Sequence, residues 1–183
     1  MKKIMVIIIA LLVLGGIGGY LFIKSGSSGP AATPKIIEKS SVLTDWQSYQ
    51  SKEYGFRVKY PAGYTPKEEN QGYQNVIIFE PPKENQEWAL GMTIQKKSYA
   101  SFIEEIGEET MKEAGIKLQA RTIHGIEGVE LKSDGSKIGG AISISVAIPY
   151  KSETLIFVTI APPATAFEEV SSRFELFLAS FVP

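Results

Sequence analysis

Apolar and charged side chains alternate along one stretch in the first half of the chain. The stretch reads Phe56, Arg57, Val58, Lys59, Tyr60. Successive side chains of an extended chain point to opposite faces, so this order places the apolar side chains on one face and the charged ones on the other. Pro61 follows and has no N–H group for a strand ladder, and Gly63 suits a turn. The pattern predicts a half-buried β-strand that ends at Pro61.

Further short apolar runs are predicted as strands. They are Val76–Glu80, Trp88–Gln95, Lys117–Ile123, Ile126–Leu131, Ile142–Ile148 and Leu155–Ile160. The last run is apolar on both faces, which predicts a central strand covered on both sides. The pair His124-Gly125 predicts a tight turn, and the polar stretch Thr65–Gln74 is predicted to be a loop.

Helical spacing replaces the alternation in two places. The apolar positions are Phe102, Ile103, Ile106, Met111 and Ala114 in the first, and Phe167, Val170, Phe174, Phe177, Leu178 and Phe181 in the second. Ser101 with Glu104 and Thr165 with Glu168 have the spacing of capping boxes. Gly107 predicts that the first helix either breaks or begins late at this point. Strands, a helix, further strands and a final helix, joined mostly by short turns, predict an antiparallel β-sheet with helices packed on it. This is an α+β fold.

The N-terminal segment is a predicted membrane anchor. No charged residue lies between Ile4 and Ile23, and this length matches the roughly 20 residues that cross a bilayer. Residues 1–24 are therefore predicted to form an uncleaved signal anchor, and a cleaved signal peptide is the alternative. Lys2 and Lys3 precede the span, which predicts a cytoplasmic N-terminus. We expect a single-pass protein of the cell membrane with an extracytoplasmic C-terminal domain.

Two further features bear on how the chain is organised. Gly15 and Gly19 have the G-x-x-x-G spacing that lets membrane helices approach closely, so a homodimer through this segment is one hypothesis. Residues 25–44 begin with a run rich in serine, glycine and proline and are predicted to be a flexible linker. Residues 45–183 are then expected to form one folded domain.

The composition excludes several kinds of chemistry. The 183 residues include no cysteine and one histidine, which excludes disulfides, thiolate nucleophiles and a multi-histidine metal site within one chain. The net charge of −1 argues against a nucleic-acid-binding surface, which needs a basic stripe. His124 could serve as a general base beside a carboxylate, but its predicted place in a turn favours a structural role. We predict no cofactor and no metal ion.

Aromatic residues form the candidate binding site. They are Tyr64, Tyr73, Trp88, Tyr99 and Tyr150. If these side chains converge beside the small residues Ser143 and Ser145, they line a groove for a ligand or partner. Scattered exposure on the surface is the alternative interpretation.

The chain resembles the PsbP-like family. The resemblance rests on the motif Tyr54-Gly55-Phe56…Lys59-Tyr60-Pro61, the turn at His124-Gly125, the paired long strands and the phenylalanine-rich last helix, and it spans Asp45–Pro183. It implies an α/β/α sandwich. The family includes an accessory protein of photosystem II, a Ran-binding nuclear protein and many bacterial secreted or membrane-anchored domains. The resemblance implies no particular site residue in this chain.

These observations lead to three hypotheses of function. The first is a non-enzymatic, membrane-anchored extracytoplasmic binding or accessory module whose partner is another envelope protein. The second is an envelope hydrolase that uses His124 with a carboxylate. The third is a structural membrane protein that self-associates through Gly15 and Gly19.

Overall fold

The computed structural model describes residues 45–82, 89–133, 142–161 and 167–183. The predictions for the membrane anchor with Gly15 and Gly19, for the linker, for Trp88 and for the capping residue Thr165 lie outside these residues. Within the described ranges, no helix is both long enough and apolar enough to cross a membrane.

The described residues form strands in two antiparallel sheets, with three helices. The strands are β1 Trp46–Gln50, β2 Arg57–Pro61, β3 Thr65–Asn70, β4 Gln74–Glu80, β5 Ala89–Gln95, β6 Ile116–Ile123, β7 Ile126–Ser133, β8 Ile142–Tyr150 and β9 Glu153–Ala161; the helices are α1 Tyr99–Ile106, α2 Glu108–Glu113 and α3 Phe167–Ala179. Strands β1 and β2 pair with each other, and the other seven form one sheet in the order β3-β4-β5-β9-β8-β7-β6. The predicted antiparallel α+β fold is confirmed, and β9 is the central strand, as its apolar sequence predicts.

One face of the large sheet packs under helix α3 and the β1-β2 pair, and we call it the aromatic face. Its core contains Phe56, just before β2, and Val58 and Tyr60 of β2, all three inward as predicted. Phe174 and Phe177 of α3 pack in the same core. The rings of Tyr60 and Phe79 stack with centroids 4.8 Å apart. Since each fully buried large apolar side chain contributes about 1.5–3 kcal/mol, this core is the main source of stability.

The opposite face packs under helices α1 and α2, and we call it the helix-pair face. Phe102, Ile106 and Met111 from the two helices contact Ala147 and Ile156 of the sheet. Gly107, with φ of 52°, ends the first helix, so the predicted break is confirmed. The helix begins earlier than predicted, because the side chain of Ser98, and not that of Ser101, accepts the capping hydrogen bond from a backbone N–H.

Strand β3 corrects a prediction. The stretch Thr65–Gln74 is not all loop, because residues Thr65–Asn70 pair with β4 along its full length. The strand lies at the edge of the sheet, where most of its side chains remain in water. A polar sequence is therefore compatible with a strand at this position, although it shows no alternation that sequence analysis could detect.

Candidate functional site

A group of charged and polar side chains lies on the aromatic face at the β6 edge of the sheet. We call it the charged cluster, and its members are Lys117, Gln119, Arg121, Glu130, Lys132 and Glu175. The β6-β7 register places Gln119 opposite Glu130 and Lys117 opposite Lys132. Because residues directly opposite in an antiparallel pair share a face, these side chains lie together, and Glu175 reaches them from helix α3.

Glu130 is the most buried charged residue of the cluster, with a relative exposure of 3%. Its Oε1 atom lies 2.8 Å from Nζ of Lys132, which is partly exposed. Its Oε2 atom is buried and has no hydrogen-bond partner among the described residues. The neighbour opposite Glu130 on β8 is Val146, which is fully buried, so one side of the carboxylate faces apolar core. An unpaired buried polar atom of a charged group costs at least about 1–3 kcal/mol.

Arg121 links the edge strand to helix α3. Its Nη2 atom donates a hydrogen bond to Oε2 of Glu175, and this ion pair is partly exposed. The residue opposite Arg121 on β7 is Gly128, which has no side chain to compete for the space above the sheet. The Nε atom of Arg121 is buried and has no partner within the part of the chain that the structure describes. The guanidinium therefore keeps one unused N–H donor inside the cluster.

Unpartnered polar atoms are concentrated at this cluster. Three buried side-chain atoms lack a hydrogen-bond partner among the described residues, namely Asn75 Oδ1, Arg121 Nε and Glu130 Oε2. Two of the three belong to the charged cluster, one a donor and one an acceptor. Lys117 adds a cation that forms no ion pair with any described residue. The cluster thus holds three cations and two carboxylates and has a net positive charge.

A second polar network fixes the loop between β1 and β2. Nδ2 of Asn75 donates to Oη of Tyr54 at 2.5 Å. The backbone oxygen of Tyr54 accepts from Nζ of Lys151 at 2.8 Å and from Oη of Tyr150 at 3.0 Å. Burial, together with the charge of Glu153, raises the pKa of Tyr54 to about 12, although the hydrogen bond from Asn75 lowers it. Apart from Oδ1 of Asn75, which has no partner among the described residues, these polar groups bond to one another within the fold, so this network is structural.

The structure places the predicted aromatic residues in separate regions. Tyr64 and Tyr150 are buried in the core under the aromatic face, where burial raises the pKa of Tyr150. Tyr99, the first residue of helix α1, packs on the helix-pair face, and burial likewise raises its pKa. Tyr73 lies in the β3-β4 turn and is 53% exposed. The four described tyrosines therefore do not share one surface, and Trp88 lies outside the described residues.

His124 lies in the predicted turn between β6 and β7. Its φ of 48° and the φ of 81° at Gly125 are both left-handed, as a tight two-residue hairpin requires. The imidazole is exposed, and its centroid lies 6.4 Å from that of Phe181. It forms no hydrogen bond or ion pair with a carboxylate in the described ranges. No group of three histidine, aspartate or glutamate side chains among the described residues could hold a metal ion.

Comparison with known proteins identifies the fold. No protein-family model matches the chain, and no curated protein is similar to it. The solution structure of cyanobacterial PsbP (CyanoP) from Synechocystis is similar, with a TM-score of 0.56 and 16% identity, over 86% of this chain and 98% of that one. The chain therefore has the PsbP-like fold, as the sequence resemblance implies.

More distant similarities are found to two bacterial proteins. A protein of unknown function from Pseudomonas aeruginosa, described as a putative regulator, has a TM-score of 0.43 and 16% identity over 75% of this chain and 96% of its own. LpqN of Mycobacterium tuberculosis, involved in cell envelope biogenesis, has a TM-score of 0.42 and 13% identity over 79% of this chain and 98% of its own.

Proposed function

We propose that the protein is a non-enzymatic binding module, held outside the cytoplasm by its N-terminal segment and engaging another envelope protein through the charged cluster. The apolar run between Ile4 and Ile23 is the proposed anchor, and residues 25–44 are the proposed tether. A tether of this kind raises the effective concentration of the domain for partners in the same membrane.

The observation that carries the proposal is the buried carboxylate of Glu130. Its Oε2 atom has no hydrogen-bond partner among the described residues, and the same is true of Nε of Arg121 beside it. Each such atom lowers the stability of the free domain, since burial removes its interaction with water and no described residue replaces that interaction. Both atoms are buried in the free domain, so a partner that supplies an acceptor for Arg121 and a donor for Glu130 would recover that loss when the two side chains turn toward it on binding.

The exposure and surroundings of His124, the single histidine, support a binding role over catalysis. His124 is exposed, lies in a hairpin turn and has no carboxylate partner among the described residues. A general base needs a partner that orients it and a reacting group within hydrogen-bond reach. The similarity to cyanobacterial PsbP supports the fold on which the proposal rests, and the choice of partner rests on the cluster alone.

Crosslinking in native membranes tests the proposal. The tagged full-length chain is compared with residues 1–44 alone and with a Glu130→Met chain. We expect a heterologous adduct of the full-length chain that is absent with residues 1–44 and falls at least about tenfold with Glu130→Met, because the partner loses its acceptor in the cluster. The same adducts from residues 1–44 would overturn the proposal and favour self-association through Gly15 and Gly19.

A further inference from the structure

In the part of the chain that the structure describes, strand β6 is an open edge of the large sheet. It has eight residues, and the side chains of Lys117, Gln119, Ala120 and Thr122 are exposed. Within the described ranges, β7 is its only strand partner and no other backbone group bonds to it. Every second N–H and C=O group of an edge strand points away from the sheet, so β6 can accept one more strand.

The opposite edge of the sheet is protected in a way that β6 is not. Strand β3 contains Pro66, which has no N–H group to donate to a further strand. Glu68 of the same strand accepts a hydrogen bond from Oη of Tyr49 at 2.7 Å, which ties this edge to the small sheet. Strand β6 contains neither proline nor glycine along its length.

The side chains of β6 select the charge of an added strand. Lys117 and Arg121 lie on the aromatic face within the charged cluster, and Lys117 forms no ion pair with a described residue. Opposite charges that face each other across two strands stabilise the pairing, and like charges destabilise it. An acidic residue opposite Lys117 therefore favours binding, and a basic residue there opposes it.

A second copy of this chain fits the edge poorly. If β6 pairs with another β6 in an antiparallel register centred on Gln119, Lys117 faces Arg121 of the other copy, which places two cations together. If the register is centred on Ala120, Lys117 faces Ile123 and meets no acid. Neither register supplies the carboxylate that the edge lacks.

We infer that β6 is the docking edge for an extended acidic segment of the partner protein, which adds a strand to the sheet and places a carboxylate opposite Lys117. This inference rests on the proposed function and names the kind of partner segment that the charged cluster binds. Backbone hydrogen bonds along β6 supply affinity, and the alternate side chains supply specificity.

A tethered segment tests this inference in the full-length chain. The C-terminus offers a short route, because Phe181 lies beside His124 at the end of β6. A Gly/Ser linker of about eight residues after Pro183, followed by Glu-Val-Thr-Val-Glu-Val, lets the added segment run antiparallel to β6. Two matched chains carry Lys-Val-Thr-Val-Lys-Val, or the acidic segment with proline at its centre. Amide hydrogen exchange of residues 117–122 is measured in detergent micelles.

We expect the acidic segment to slow exchange of the β6 amides at least about tenfold relative to both matched chains, and Lys117→Glu to transfer this protection to the lysine segment. Absence of protection, or equal protection by the acidic and lysine segments, would overturn the inference. Protection of β6 in the unextended chain that depends on protein concentration would assign the edge to a second copy and overturn it too. A heterologous membrane adduct that survives Lys117→Glu would reject the edge while leaving the binding module intact.

Discussion

The main chains of Arg57 and Val182 exchange two hydrogen bonds, each 2.8 Å long, although the two residues lie near opposite ends of the described sequence. The backbone N–H of Lys59 also donates to Oγ of Ser180 at 2.8 Å. The last residues of the chain therefore extend the small β1-β2 sheet. This pairing holds Phe181 in the core under the aromatic face, where its ring centroid lies 5.1 Å from that of Phe157.

Phe181 is expected to be a major determinant of stability, although it lies beyond the last helix. Phe181→Ala removes a fully buried ring and leaves a cavity, which costs about 3–5 kcal/mol in the free energy of unfolding. Val182→Ala is the control, because Val182 is 45% exposed and its backbone bonds survive the change. Urea unfolding of both full-length variants in detergent micelles measures the difference. Equal losses would contradict a core role for Phe181.

Gly128 is expected to tolerate no side chain. A Cβ atom there would lie 2.3 Å from the backbone oxygen of Ala147 and 2.7 Å from Cγ2 of Ile148, so Gly128→Ala costs about 2–3 kcal/mol or more. Gly125→Ala is the control, because it introduces backbone strain without a steric clash. Gly125 has φ of 81° and open space around it, which predicts a smaller loss of about 1–2 kcal/mol. A smaller loss at residue 128 than at residue 125 would refute the clash.

The order and type of most elements could be predicted from the sequence, because they depend on local patterns. Strand β2, the turn at His124-Gly125, the break at Gly107 and the central position of β9 follow from alternation, turn residues and apolar runs. Strand β3 was missed for a physical reason. An edge strand needs few buried side chains, so its sequence carries little periodicity, and its pairing with β4 decides its structure.

The charged cluster could not be predicted, because its residues meet only through register. Gln119 and Glu130 are opposite each other in the hairpin, and Glu175 comes from a helix far along the chain. The sequence nevertheless contains an indication of this cluster, in the charged residues that share a strand face with apolar ones. Lys117, Gln119 and Arg121 fall on the same face of β6 as the apolar Ile123, and Glu130 and Lys132 share a face of β7 with the apolar Ile126. Charged residues on a face that is otherwise core indicate a buried polar site.

The stability of the domain is expected to fall at high pH through Tyr54. Its pKa is raised from 10.0 to about 12, so the folded domain holds the proton more tightly than the unfolded chain does. The resulting stabilisation is fully present below pH 10 and is lost as the pH rises toward 12. Unfolding free energies of the wild-type chain and Tyr54→Phe, measured across this interval, should show the steeper decline in the wild type. Parallel curves would contradict the assignment.

Removing one partner of the ion pair between Glu130 and Lys132 is expected to cost much more stability than removing the other. Lys132→Met leaves the buried carboxylate unpaired, which costs about 3–5 kcal/mol. Glu130→Met leaves a lysine that is 33% exposed and can turn to water, so stability changes by less than about 1 kcal/mol or increases. The double variant should recover most of the loss of Lys132→Met. If Glu130→Met is the more damaging change, Glu130 is retained for stability and not for binding.

Site-directed photocrosslinking in native membranes tests the central claim most directly. A photoreactive residue replaces Gln119, which is exposed at the β6 edge within the charged cluster, in one full-length chain. In the matched chain it replaces Tyr73, which is exposed in the β3-β4 turn. We predict a heterologous adduct from position 119 that is absent from position 73. An adduct from position 73 alone, or equal adducts from both, would contradict the assignment of the binding surface to the charged cluster.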